Sequence, residues 1–151
     1  MIRERLKSAQ VAAMKAGDKP RTAAIRLIQS AVKNRDIELR TGAAPADDDA
    51  MVSEVLQKMI KQRRESITMY EQGGRAELAA AEQAEVAVIE EFLPRQLNEA
   101  EAEAAIGAIV AETGASSVKD MGRVMAALKE RHSGELDMAK ASAMVKARLS
   151  A

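Results

Sequence analysis

The chain has almost no aromatic side chains. Tyr70 and Phe92 are the two among 151 residues, and tryptophan is absent. A core must therefore be assembled from Leu, Ile, Val, Met and Ala. Sheet proteins draw heavily on β-branched and aromatic residues to cover pleated faces, so this pool suits closely packed helices instead. Hydrophobic residues make up 47% of the chain and charged ones 30%, a balance that belongs to folded globular proteins. At this length the expectation is one ordinary domain or two small ones.

Composition also removes several function classes. Cysteine is absent, which excludes disulfides, thiolate metal sites and cysteine nucleophiles. The 23 basic and 23 acidic residues cancel, which argues against a strongly basic nucleic-acid binder and leaves room for a local patch. No apolar run approaches the roughly 18 residues of a membrane span. The N-terminus alternates charge with Ile2 and Leu6 and contains Glu4, so it reads as an amphipathic helix and no secretory signal. A cytoplasmic location without membrane contact is the expectation.

Helical spacing then runs through the chain. Ile2, Leu6, Ala9 and Ala13 share one face of a first helix, which Gly17 closes. Pro20 sits near the start of a second helix running to about Arg40, with Ala24, Leu27, Ile28, Ala31 and Val32 predicted to face inward. Thr41 to Pro45 breaks it. Asp47 is placed to cap a third helix, and Asp48 and Asp49 suit the positive end of its dipole. This helix, running to Gln72, is the longest, with Val52, Val55, Leu56, Met59, Ile60, Ile67 and Tyr70 as its stripe. Gly73-Gly74 ends it, and a fourth helix is predicted to Leu93 with Leu78, Ala81, Val88, Ile89 and Phe92 on one face. So short a link between long helices implies an antiparallel hairpin. Centring the turn on Gly73-Gly74 brings Arg63 level with Ala84, so a pair with Glu85 or Glu82 is expected at the seam. Charge agrees: fourteen basic and ten acidic residues precede Gly73, whereas Arg75 faces five glutamates between Gly73 and Pro94.

Pro94 interrupts the pattern at Phe92-Leu93-Pro94-Arg95-Gln96-Leu97-Asn98. Asn98 with Glu101 forms a capping-box sequence for the next helix, which faces inward through Ile106, Ile109 and Val110 and stops at Gly114. Ser116 or Ser117 opens another, with Val118, Met121, Val124, Met125 and Leu128 as its stripe up to Gly134. Asp137 caps the last, which buries Met138, Ala141, Val145 and Leu149. The predicted fold is all-α: residues 1–94 form an N-terminal helical domain containing the long antiparallel hairpin, and residues 95–151 form a small three-helix tail domain.

No nucleophile set is visible. His132 stands alone near a helix end, and a capping or surface role suits it better than catalysis. Glu82 and Glu85 are better explained by the seam than by metal binding or acid–base chemistry. The Gly73-Gly74 link lacks the lysine and length of a phosphate loop. Asp47-Asp48-Asp49 lacks a second acidic group nearby to complete a cation site. No metal, cofactor or autonomous catalysis is expected. The candidate binding residues are basic: Lys58, Lys61 and Arg64 on one outer face, and Lys119, Arg123, Lys129, Lys140, Lys146 and Arg148 on the tail, with Arg131 among them. Such groups can neutralise phosphates. Without aromatic platforms, single-strand binding is disfavoured and shape recognition of a folded RNA stays open.

Three stretches together resemble the YqeY family. Lys58-x-x-Lys61-Gln62-Arg63-x-x-Ser66, with Tyr70, Gly74-Arg75 and Leu78, is similar to its central signature. Phe92-Leu93-Pro94-x-Gln96-Leu97 resembles its junction. Asp120-Met121-Gly122-x-Val124-Met125, with Gly134, Asp137 and Val145, is similar to the tail shared with the B subunit of the tRNA-dependent amidotransferase. At Ser133-Gly134-Glu135-Leu136-Asp137 the chain departs from the commoner Gly-Arg-Ala-Asp. The resemblance implies a helical domain followed by a tail that, in the amidotransferase, helps dock tRNA. It also carries a label of carbon–nitrogen ligase with glutamine as amido-N-donor. The chain lacks both the serine–lysine machinery and the activating domain for that reaction. The expected function is a tRNA-linked accessory protein binding folded RNA through its tail, with tRNA or a tRNA-processing complex as partner. The alternative is a protein-interaction module without RNA binding or catalysis.

Overall fold

The computed structural model describes residues 1–42, 44–45 and 47–150. It is all-α, with no strand among the described residues. The chain divides into two compact units, Met1–Leu93 and a second that begins at Pro94.

The first unit is built from two helical hairpins. Helices α1 (Ile2–Lys15) and α2 (Lys19–Glu38) form one, and α3 (Asp48–Gln72) and α4 (Ala76–Glu90) form the other. Asp18 caps α2 by accepting from the Arg21 N–H, and Asp47 caps α3 by accepting from the Ala50 N–H at 3.2 Å. The end of α2 tightens into a 3-10 turn over Leu39–Thr41. Ala43, within the expected break, lies outside the described residues. Gly74 turns the chain between α3 and α4 at φ +72°, a value glycine reaches without a Cβ penalty. The core gathers Ile2 and Leu6 of α1, Ile25, Ile28 and Val32 of α2, Val52, Leu56 and Ile60 of α3, and Val86, Ile89 and Phe92 at the α4 end. Each fully buried aliphatic side chain contributes on the order of 1.5–3 kcal/mol.

Two helix faces of the first unit differ from the sequence expectation. In α2, Leu27 is 47% exposed and Ile25 fills the core instead. In α4, Leu78 and Ala81 point outward, and the inner stripe runs through Ala79, Val86 and Ile89. Both helices carry aliphatic residues on several faces, so spacing alone leaves their rotation underdetermined. Helix α4 also stops at Glu90, three residues early. The Phe92 N–H turns back to the Ile89 carbonyl, which drives the ring into the core, while Arg5 donates to the Glu91 carbonyl at 2.7 Å and lies 5.6 Å from the ring centroid.

The expected seam contact is present. Arg63 Nε donates to Glu85 at 2.8 Å and stands 3.8 Å from Glu82. A second clasp joins three helices. Arg3 of α1 forms paired hydrogen bonds to Asp36 of α2 and to Asp48 of α3, at 2.6–3.0 Å. The Arg3 guanidinium holds the Asp36 carboxyl below the usual carboxylate range, and the two carboxylates in turn raise the pKa of Arg3. Asp49 accepts from the Ile2 N–H at 3.0 Å. The aspartate run is therefore a helix cap and an inter-helix clasp.

The second unit packs α5 (Glu99–Thr113), α6 (Met121–His132) and α7 (Met138–Ser150) around Ile106, Ile109, Val124, Leu128, Leu136, Ala141 and Val145. A 3-10 turn over Val118–Asp120 precedes α6, and Val118, expected on the α6 stripe, is exposed in that turn. Asn98 and Glu101 form the expected capping box. Phe92 belongs to the first core, and Leu97 packs on the second.

Candidate nucleic-acid interface

The start of α6 is organised by one carboxylate. Asp120 accepts from the Ser116 N–H at 3.0 Å, the Ser117 N–H at 3.3 Å and the Arg123 guanidinium at 2.7 Å. The Ser116 N–H, followed by Arg123, holds its carboxyl below the usual range. Arg123 also donates to the Thr113 carbonyl at 3.1 Å, closing an orphan carbonyl at the end of α5. Arg123 is thus a clasp within the fold as well as an exposed cation, and its charge is balanced by Asp120.

Between Lys119 and Arg123 lies Gly122. It is exposed in the first turn of α6, and a Cβ built there meets nothing within 4 Å. Its φ is not positive, so neither backbone geometry nor intramolecular crowding requires glycine. Glycine in a helix costs about 1 kcal/mol relative to alanine, so nothing inside the fold accounts for it. The result is an open ledge on the first turn of α6, just after exposed Lys119 and the Asp120 carboxylate.

The other tail candidates do not gather around this ledge in one stripe. Lys140 and Lys146 are both exposed on α7. Their six-residue spacing turns them about 120° apart around the helix axis. The Arg148 guanidinium lies against Gly107 of α5, where a Cβ would come within 3.1 Å of its nitrogen. Lys129 is exposed on α6, and Arg131 pairs with Glu112. In the first unit, Lys58 and Lys61 are exposed on α3, while Arg64 bonds Glu90 at 3.0 Å. His132 ends α6 with its Nδ1 3.7 Å from Glu135. No group of three or more metal-ligating side chains occurs among the described residues.

One feature of the tail escapes prediction from sequence. The Gln96 amide donates to the carbonyls of Pro94 and Gly134, and the Leu97 N–H donates to the Glu135 carbonyl at 2.9 Å. The junction segment is thereby locked to the loop before α7. Gly134 makes that loop possible at φ +82°, and Leu136 drops into the core. The leucine that departs from the commoner tail sequence is therefore a core residue. Glutamine and glycine are compatible with many local conformations, so only the fold brings these motifs together.

A family model described as Yqey-like protein covers residues 3–149. The chain belongs to the YqeY family. It is also 35% identical over 81 residues to altered inheritance of mitochondria protein 41, mitochondrial, of Saccharomyces cerevisiae strains YJM789 and RM11-1a. Those matches span 54% of this chain and 42% of the relatives' length. No helix among the described residues is long and apolar enough to cross a membrane.

Proposed function

We propose that this YqeY-family protein is a tRNA-linked accessory protein that binds folded RNA through its second unit and does no chemistry alone. The ledge at Gly122 carries the reading. A phosphate backbone can approach a helix terminus closely where no side chain stands, and Lys119 supplies the cation beside it. Lys140 and Lys146, on different sides of α7, and Arg148 beside Gly107 would meet separate phosphates of a folded RNA and not one continuous strand from the ledge. Balanced net charge implies modest affinity, or help from a partner. The carbon–nitrogen ligase label is read as ancestry of the tail, and a cytoplasmic site of action belongs to the same proposal.

The test is a titration of unmodified tRNA across a salt series. Affinity should fall as salt rises, and Lys119→Gln should reduce the slope of log affinity against log salt by about 0.7–0.9, the value of one phosphate contact. Arg123→Gln should matter less to affinity, because Asp120 already neutralises that charge. Binding undetectable at low salt, or indifferent to both substitutions, would overturn the reading.

A further inference from the structure

The α1–α2 hairpin carries a surface that the RNA reading does not use. Between Ile2 and Arg40 the chain has ten basic residues against four acidic ones. Three of those acids are engaged: Asp18 in a helix cap, Asp36 with Arg3, and Glu38 with Arg35. Lys7, Lys15, Lys19, Arg26 and Lys33 are exposed and form no ion pair among the described residues.

Apolar groups lie between these cations. Met14, Asp18, Lys19, Ala23 and Arg26 line a shallow depression of about 300 Å³ where α1 meets α2, with the Asp18 carboxylate engaged in capping α2. Gln10 and Gln29 hydrogen-bond across the hairpin and fix its antiparallel register. That register places Val11 and Leu27 at about one level, a turn beyond Met14 and Ala23. Val11, Met14 and Leu27 are 45%, 53% and 47% exposed. Single exposed aliphatics are ordinary, but here Met14 lies in a depression rimmed by Lys19 and Arg26, and Val11 and Leu27 carry the apolar surface about one turn further along the hairpin.

We infer that this depression docks an amphipathic helix of a partner protein, with a Leu/Met ridge flanked by Glu or Asp. Concavity decides the occupant: a ridge of side chains fills a groove between helices, whereas a flat bilayer leaves its floor empty. Phosphates would leave the three aliphatic groups without an apolar partner. The unbranched Met14 can adapt to such a ridge, and Lys19 and Arg26 at the rim select acidic flanks, within a hairpin whose other exposed lysines are also free of ion pairs among the described residues.

The probes are labelled helical peptides with a Leu/Met stripe in each register, one series flanked by Glu and a matched series flanked by Lys, titrated onto the full chain. At least one Glu peptide should bind, at least about tenfold more tightly than its Lys counterpart. Leu27→Asp should weaken it by tenfold or more, and Lys19→Glu with Arg26→Glu by a similar factor. Unchanged thermal unfolding of these surface variants would separate lost docking from lost folding. Binding by no Glu peptide, equal binding of the Lys series, or indifference to Leu27→Asp would overturn the inference. So would anionic phosphatidylserine vesicles that bind through these residues while the peptides do not. Lys119→Gln should leave peptide binding unchanged, so either proposal can fail while the other stands.

Discussion

Replacing Gly122 with alanine should move stability and RNA binding in opposite directions. The helix gains up to about 1 kcal/mol from the loss of glycine's conformational freedom. Gly122 is the second residue of α6, next to the switch from the 3-10 turn into the α-helix, so about half that gain is expected. A Cβ there meets nothing within 4 Å and φ is not positive, so no clash offsets it. A gain of about 0.5 kcal/mol in so small a unit corresponds to roughly 2–4 °C in the thermal midpoint, measurable by circular dichroism. On the RNA side, the added methyl displaces the phosphate backbone from the ledge. The expected loss is about tenfold in affinity, equivalent to about 1.4 kcal/mol, by anisotropy titration with tRNA at fixed salt. A fall in stability would refute the claim that the fold does not need this glycine. Unchanged affinity would refute the ledge as a contact, even if tRNA binds elsewhere.

Other substitutions test the clasps and cores. Arg3→Met removes two bidentate pairs, but the partners are well exposed, so the expected loss is about 1–2 kcal/mol at low salt and less at high salt in urea unfolding. Asp36 has a folded pKa below its unfolded value, so its contribution is fully present above the unfolded pKa and is lost as pH falls through the folded one; acid titration should show a shallower stability loss in Arg3→Met. A double-mutant cycle of Arg63→Met with Glu85→Gln should give a coupling near 1 kcal/mol, and a value near zero would make the seam contact incidental. Leu128→Ala, at a fully buried position, should cost about 2–5 kcal/mol and unfold the second unit, abolishing tRNA binding while leaving the Gln10–Gln29 hairpin folded by hydrogen exchange.

Local chemistry made much of this fold legible. Asp47, Gly74 and the Asn98–Glu101 box act within a few residues of themselves, so sequence places them well. The Arg63–Glu85 contact spans 22 positions, yet a tight hairpin turns that separation into a register problem. The Arg3 clasp was not accessible in this way, because its partners lie 33 and 45 positions away on two different helices. Spacing leaves the rotations of α2 and α4 open, because aliphatic residues occupy more than one face of each. At the candidate interface, residue type identified cations, but it could not distinguish Arg123, balanced by Asp120, from exposed Lys119. Nor could it mark Gly122, whose significance is the space around it.

The Arg5 contact at the end of α4 has a kinetic consequence. The two hairpins of the first unit form from residues near one another in sequence, which favours rapid assembly. Their closure starts with the Arg3–Asp48 clasp, 45 positions apart, and is completed by Glu91, which lies 86 positions beyond Arg5 and 70 beyond Arg21, with neighbouring Phe92. During synthesis from the N-terminus, the α1–α2 hairpin is therefore exposed to the cell before its final intramolecular lock exists. Any factor that grips that hairpin early competes with closure, and so acts on the timing of folding as well as on the finished molecule.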